Sequence, residues 1–142
     1  MPEVRVTRRL HFSAAHRLFR SDWSEAKNAE VFGDCSHVNW HGHNYELEVT
    51  VSGAVHPETG FVMDLKDLRD LVQQRVVADV DHRNLNLDVS WLKGVLPSTE
   101  NFVVAIWNRL SGGLPKGVRL ERILLEETPR NFVEYTGERG DR

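Results

Sequence analysis

The sequence predicts an α+β fold in which a four-stranded antiparallel sheet carries two helices on one face. Apolar and polar residues alternate along four stretches, two before residue 56 and two after residue 117. Between these pairs, apolar residues recur at helical spacing in two segments. The order strand, strand, helix, helix, strand, strand is typical of this class.

The composition fits one globular domain over residues 1–142. The formal net charge of −3 argues against a general nucleic-acid binder. A single cysteine cannot form an internal disulfide, and we see no signal core or run of membrane-spanning length. We therefore expect a cytoplasmic protein that binds neither nucleic acid nor membranes.

The first strand has one apolar and one polar face. Its even positions from Val4 to Phe12 are mostly apolar, and polar residues separate them. The same parity brings His16 to the apolar side. His16 is therefore either a candidate metal ligand or a core histidine hydrogen-bonded to the backbone.

A polar excursion, residues 21–34, separates the first strand from the second. We expect Ser21 to cap a short helix in this segment and Gly33 to end it. The segment leads to Cys35, and the second strand covers about residues 44–55.

His41 and His43 share the parity of the apolar residues in the second strand, so both should face inward. Gly42 between them allows close backbone approach. Neutral imidazole is the commonest side-chain ligand of zinc, and a catalytic zinc site keeps three protein ligands and one open position. Two interpretations stay open, namely a metal site and a pair of hydrogen-bonded core histidines.

Two helices follow. Asp64 is the expected N-cap of the first, whose apolar stripe ends at Val80. Ser98 or Thr99 caps the second, and the glycines at 112–113 end it. The stripes should form the core.

Two further strands, residues 118–125 and 132–136, close the predicted sheet. A turn with a proline joins them. We expect the tail, residues 137–142, to be frayed.

Three further features bear on chemistry. Asp81 beside His82 can form an acid–base relay, or it can be a loop pair with an exposed imidazole. Cys35 can be a nucleophile, a base, a metal ligand or a buried small apolar residue. His37, His82 or a zinc ion nearby would lower the pKa of its thiol.

Glu127 ends a largely apolar strand, where an unpaired carboxylate is costly. It therefore needs a cationic or multi-donor partner, such as the edge of a guanidine-like heterocycle. An ion pair with Arg122 or Arg130 is the structural alternative.

Taken together, these residues form a pattern. The chain resembles the 6-pyruvoyltetrahydropterin synthases over about 130 residues. The matching pieces are Phe12-Ser13-Ala14-Ala15-His16-Arg17-Leu18, Cys35 with His41-Gly42-His43-Asn44-Tyr45, Gly60-Phe61-Val62-Met63-Asp64, Asp81-His82-Arg83-Asn84-Leu85-Asn86, Ser98-Thr99-Glu100-Asn101, Glu127-Thr128 and Tyr135-Thr136-Gly137-Glu138.

The resemblance implies a zinc site formed by His16, His41 and His43. It implies 7,8-dihydroneopterin triphosphate as substrate, elimination of triphosphate, and an internal redox shift that needs no external reductant. In this family zinc acts as a Lewis acid on the side-chain hydroxyls. Cys35 matches the family's thiolate base.

By the same resemblance, Asp81 and His82 match the family's proton relay. Glu127 matches the carboxylate that anchors the pterin ring, helped by Ser98 and Thr99.

The fold that the resemblance implies is the tunnelling fold. Its sheets join into a trimeric β-barrel, two trimers stack, and the active sites lie between subunits. We therefore expect a homo-oligomer. Arg8, Arg9 and Arg17 are our candidates for triphosphate contacts, and ordinary surface arginines are the alternative.

Related 6-carboxytetrahydropterin synthases of queuosine synthesis typically have a shorter spacing between the cysteine and the His-Gly-His motif. Here five residues separate Cys35 from His41, as in the pyruvoyl enzymes. The intervening segment, residues 36–40, departs from their usual Asn-, Pro- and Gly-rich turn, and His37 within it weakens the transfer of the base role to Cys35.

The sequence also bears on three other interpretations. A branch that cleaves dihydroneopterin-type side chains places a glutamate in the cysteine region, and Cys35 argues against it. A cupin would use His41 and His43 with Glu48, but a second cupin motif is missing. A non-catalytic pterin-binding member of the fold would be expected to have lost a metal histidine or Cys35.

Overall fold

A computed structural model describes residues 2–138 of the chain. One five-stranded sheet with the strand order β3-β1-β2-β4-β5 forms the framework. The strands are β1 (Glu3–His16), β2 (His41–Ala54), β3 (Arg83–Asn84), β4 (Arg119–Thr128) and β5 (Asn131–Tyr135). The expected fraying of the tail mostly falls on residues 139–142, which lie outside the described residues.

The prediction of four antiparallel strands is wrong in one respect. The sheet has a fifth strand, β3, which runs parallel to β1 and makes it a mixed sheet. The backbone N–H of His82 donates to the carbonyl of Ser13, and that of Leu85 donates to the carbonyl of Ala15. A strand of two residues has no alternation of its own, so only its partner strand reveals it.

Within residues 2–138, three α-helices accompany the sheet: the two predicted to cover it and the short one expected in the excursion. They are α1 (Glu25–Phe32), α2 (Leu65–Val72, continuing through a π-helical turn, Gln73–Val77, to Ala78–Val80) and α3 (Thr99–Leu110). The short helix expected in the excursion is α1, but its cap is Ser24 rather than Ser21, because the Ser24 side chain accepts from the N–H of Lys27.

The caps predicted for the two longer helices are confirmed. The Asp64 side chain accepts from the N–H of Lys66 at 2.9 Å. The Ser98 hydroxyl accepts from the N–H of Asn101 at 3.1 Å, so Ser98 rather than Thr99 is the cap of α3. Each cap satisfies one of the free N–H groups in a first helical turn.

Helices α2 and α3 cover the apolar face of the sheet. Strands β1 and β2 pair antiparallel over their full 14 residues, which aligns their inward side chains in one layer. The core includes Phe12, Tyr45, Leu47, Val49, Leu68, Val72, Phe102, Ile106, Ile123 and Leu125. This layer ends in the three inward histidines.

The opposite face of the sheet is polar. Glu48 in β2 forms ion pairs with Arg9 at 3.1 Å and with Arg122 at 3.4 Å. Within residues 2–138, the outer edge of β1 pairs only with β3, at Ala14 and Ala15, so its segment 3–12 keeps an unpaired edge. No helix in this part of the chain has the length and apolar character needed to cross a membrane.

Candidate metal centre

The three inward histidines meet where β1 ends and β2 begins. His16 lies directly opposite His41 in the antiparallel register, and His43 follows two residues later on the same face. The ring centroids are 4.4 Å apart for His16 and His41, 5.1 Å for His16 and His43, and 4.9 Å for His41 and His43. One ring nitrogen from each lies within 4.8 Å of the others, so the group could hold a metal ion.

The hydrogen bonding of the rings fits a metal ion. His16 is fully buried, and its Nδ1 donates to the carbonyl of Pro97 at 2.9 Å, which turns the lone pair of Nε2 toward the other rings. Buried nitrogens of His16, His41 and His43 have no hydrogen-bond partner. Such orphaned polar atoms cost about 1–3 kcal/mol each, and coordination to a cation would satisfy them.

Burial favours the neutral form of His16 and His41, the form that binds metals. It lowers the pKa of His16, and the neighbouring imidazoles His41 and His43 lower it further. Burial and the neighbouring His43 also lower the pKa of His41. Because metals bind neutral imidazole, these shifts favour coordination.

Glu127, the carboxylate near the end of β4, lies beside this group. Its Oε1 is 3.1 Å from Nε2 of His43 and 3.5 Å from Nε2 of His16, without the angles of a hydrogen bond. The alternative ion pair with Arg122 or Arg130 is not formed: Arg122 pairs with Glu48 and with Glu134, and the charged neighbours of Glu127 are the two histidines. Glu127 therefore retains hydrogen-bonding capacity for a ligand.

A cavity of about 430 Å³ opens next to Glu127. The residues that line it come from the start of α3 and from the β4–β5 turn, namely Thr99, Glu100, Glu127, Arg130, Asn131, Phe132 and Val133. Of the two predicted helpers, Thr99 thus borders the cavity, whereas the Ser98 hydroxyl is engaged as a helix cap. Two carboxylates and an exposed phenyl ring suit a flat heterocycle with several N–H donors.

Cys35 sits in a short 3₁₀ turn, Gly33–Ser36, and is partly buried. Burial raises the pKa of its thiol, and the negative charges of Glu127 and Asp34 raise it further. This direction is opposite to the lowering expected from His37 or His82. His37 is exposed, and its Nδ1 accepts from the N–H of Asn39 instead.

Asp81 and His82 form the predicted pair. Asp81 Oδ1 lies 3.0 Å from His82 Nδ1 and also accepts from the N–H of Ser13 at 3.0 Å. The Ser13 N–H and then the His82 hydrogen bond lower the pKa of Asp81. The His82 side chain is 82% exposed and borders a cleft of about 540 Å³ with Gly42.

The structure does not bring this pair to Cys35 within one chain. The backbone N–H of His82 donates to the carbonyl of Ser13 within β1, whereas the Cys35 carbonyl accepts from the N–H of Leu18, beyond the end of β1. The charges that act on the thiol are those of Glu127 and Asp34, and His82 is not among them.

Two contributors were missed from the sequence. Tyr45 is fully buried, its hydroxyl has no hydrogen-bond partner, and its ring stacks on Phe12 at 5.0 Å. The strand parity that found the histidines also places Tyr45 inward. The carbonyl of Pro97, which orients His16, carries no signal in the sequence.

The structure defines the class of protein: an α+β sheet that ends in three clustered, inward-facing histidines, which form a candidate metal centre. A family model described as 6-pyruvoyl tetrahydropterin synthase matches residues 5–138. The chain belongs to this family.

Three relatives show the extent of the similarity. The human 6-pyruvoyl tetrahydrobiopterin synthase is 43% identical over 136 residues, 96% of this chain and 93% of its own length. The Dictyostelium discoideum enzyme of the same name is 41% identical over 95% of this chain and 97% of its own. The solved structure of Caenorhabditis elegans 6-pyruvoyl tetrahydropterin synthase superposes with a TM-score of 0.89, at 39% identity, over 97% of this chain and 98% of that one.

The metal-free protein is predicted to lose stability as the pH falls below about 6.5, the ordinary pKa of histidine. Because burial lowers the pKa of His16 and His41 in the folded state, the unfolded chain binds more protons in this range. The free energy of unfolding therefore decreases until the pH passes the folded pKa values. Urea denaturation with a chelator, from about pH 8 to pH 5, measures this slope.

His11 provides the control, because it is exposed on the polar face of β1. A His11→Gln variant should keep the slope, and His16→Gln should reduce it. A profile without slope in the parent protein would contradict the account of the buried imidazoles.

Proposed function

We propose that this protein is a zinc-dependent lyase that converts 7,8-dihydroneopterin triphosphate to 6-pyruvoyltetrahydropterin with elimination of triphosphate. The observation that carries the proposal is the group of three inward histidines with unpartnered nitrogens, beside Glu127 and Cys35. The family membership supplies the reaction. Zinc is our choice of metal because all three ligands are imidazoles, whereas calcium and magnesium favour oxygen ligands.

His16, His41 and His43 would hold the ion, and their number leaves room for substrate oxygens. When bound, zinc supplies Lewis-acid polarisation of the oxygens that it contacts. The Pro97 carbonyl keeps His16 in the tautomer that presents Nε2. The core packed behind the rings excludes water from one side of the group.

We assign the pterin ring to the cavity beside Glu127. The 2-amino and ring N–H groups of a pterin form a donor edge that a carboxylate can accept in a bidentate manner. Thr99 borders the same cavity and offers a hydroxyl. This placement directs the pterin side chain toward the histidines, because Glu127 lines the cavity and also lies beside His43.

Cys35 is our candidate for the base that removes the weakly acidic C–H protons of the substrate side chain. Burial raises the pKa of its thiol in the free protein, and the charge of Glu127 raises it further. When the Glu127 carboxylate pairs with the pterin donors, the second of these two influences weakens.

For Asp81 and His82 we propose a relay role that a second copy of the chain completes. In one chain neither Asp81 nor His82 is among the charges that act on Cys35, and the edge of β1 over residues 3–12 has no partner among residues 2–138. An edge of this length requires covering, and a strand from another copy can pair with it. A closed β-barrel of several copies would then bring the relay of one chain to the thiol of its neighbour.

The alternative product is 6-carboxytetrahydropterin, made from the same substrate by related enzymes of queuosine synthesis. The spacing of five residues between Cys35 and His41 favours the pyruvoyl product. Both reactions use the same metal centre, so only the product separates them.

The direct test is the product formed from 7,8-dihydroneopterin triphosphate, without added reductant, identified by mass spectrometry. We expect 6-pyruvoyltetrahydropterin and free triphosphate in equal amounts. A Cys35→Ala variant should retain zinc and substrate binding but lose about a hundredfold or more in rate, the usual contribution of a positioned base. A 6-carboxy product would replace the proposed activity by the alternative, and normal turnover of Cys35→Ala would remove the base role from this residue.

Replacing Glu127 by glutamine tests the pterin anchor. Hydrogen bonds to a charged group contribute about 1.5–3 kcal/mol each, so Glu127→Gln should weaken pterin binding about ten- to a hundredfold. Isothermal titration with a pterin that lacks the triphosphate leaving group, such as neopterin, measures this affinity, and the zinc content should remain unchanged.

Glu126 is the matched control, because strand alternation places the neighbouring carboxylate on the opposite face of β4. Glu126→Gln should bind pterin like the parent protein. If the parent protein, Glu127→Gln and Glu126→Gln bind pterin with equal affinity, Glu127 does not anchor the pterin ring.

A further inference from the structure

The segment that carries the candidate base is fixed to the end of β1 at two points. We call residues 33–40 the thiol loop. The carbonyl of Cys35 accepts from the N–H of Leu18 at 2.8 Å, and the carbonyl of Ser36 accepts from Nε of Arg17 at 2.8 Å. The two carbonyls belong to the consecutive peptide groups before and after Ser36, so both bonds restrain the backbone that directly follows Cys35.

Arg17 is itself held in place by aromatic rings. Its guanidinium lies 4.0 Å from the centroid of Phe19, and the Phe19 ring meets the Trp40 ring edge to face at 6.3 Å. Trp40 is the last residue of the thiol loop and directly precedes the ligand His41. The row Arg17–Phe19–Trp40 therefore connects the middle of the loop to its end.

The backbone of Trp40 is strained. Its φ is 67°, in the left-handed region that bulky residues rarely adopt. Such a conformation persists only where the surrounding contacts determine it. Here those contacts are the Phe19 ring and the bond from the Trp40 N–H to the carbonyl of His37 at 3.0 Å. A glycine would meet the backbone requirement without strain, but it would not reach Phe19.

We propose that Arg17, through Phe19 and Trp40, is a positioning residue that holds the Cys35 thiol at the metal centre. The inference rests on the base role proposed for Cys35. The recorded contacts of the guanidinium are the Ser36 carbonyl and the Phe19 ring, and the sulfur is not among them. Arg17 thus acts on the geometry of the thiol and is already engaged, which distinguishes this role from a triphosphate contact.

Arg17→Lys distinguishes positioning of the thiol from binding of triphosphate. The variant keeps the positive charge but loses the planar guanidinium, which donates to the Ser36 carbonyl and stacks on Phe19. If Arg17 positions the thiol, kcat should fall about a hundredfold, as expected for a displacement on the order of 1 Å, while KM changes little. The zinc content should be unaffected. If Arg17 instead binds triphosphate, KM should rise and kcat should be retained, and that result would overturn the proposal.

The rate of Cys35 alkylation by iodoacetamide provides a readout that needs no turnover. It should rise in Arg17→Lys, because the released loop exposes the sulfur more often. Trp40→Gly should also accelerate alkylation, yet its thermal midpoint should not fall, since the strain at φ of 67° is removed. Unchanged alkylation in both variants would overturn the proposal.

Arg20 supplies the matched control from the same segment. It pairs with Asp22 at 2.8 Å and lies 5.3 Å from the Trp23 ring, but it has no recorded contact with the thiol loop. Arg20→Lys should leave kcat, KM and the alkylation rate unchanged. A parent protein that does not turn over the pterin triphosphate contradicts the proposed function alone, and the alkylation rates then still decide whether Arg17 positions Cys35.

Discussion

The antiparallel register between β1 and β2 is the constraint on which the candidate site depends. It pairs His16 with His41 and runs without interruption over 14 residues of each strand. Side chains alternate between the faces of a sheet, so a slip of one residue would turn His41 and His43 away from His16 and toward the polar face. The apolar residues that continue the inward face through Tyr45 and Leu47 resist such a slip, because they would be exposed by it. Core packing along the sheet thus fixes the position of three polar rings at its end.

The burial of these rings is unfavourable by itself, and the structure offsets it only in part. His16 has one bond, to the carbonyl of Pro97, and the remaining inward nitrogens have none. Glu127 approaches two of the rings without hydrogen-bond geometry. The folded chain therefore presents an incomplete polar site, with lone pairs for a cation and a carboxylate for a donor-rich ligand. This arrangement lowers the stability of the free protein at a site that could hold a metal ion.

The sequence predicts the group of three histidines better than it predicts the rest of the candidate site. Period-two alternation alone placed His16, His41 and His43 on one face, because long strands with a buried side carry a clear pattern. It missed β3, whose two residues show no period, and it misplaced the cap of α1, because Ser21 and Ser24 satisfy the same local preference. The direction of the thiol pKa shift was also missed. The shift depends first on burial and then on the charge of Glu127, which is remote in sequence, whereas His37 is near in sequence but exposed.

The zinc content of purified protein, measured by atomic absorption for the parent, His43→Ala and His11→Ala, tests the central claim most directly. His11 lies on the polar face of β1 and controls for the loss of any histidine. The account predicts about one zinc ion per chain in the parent and in His11→Ala, and little in His43→Ala, since a site with three protein ligands depends on each of them. Zinc-free parent protein after reconstitution, or full occupancy in His43→Ala, would contradict it.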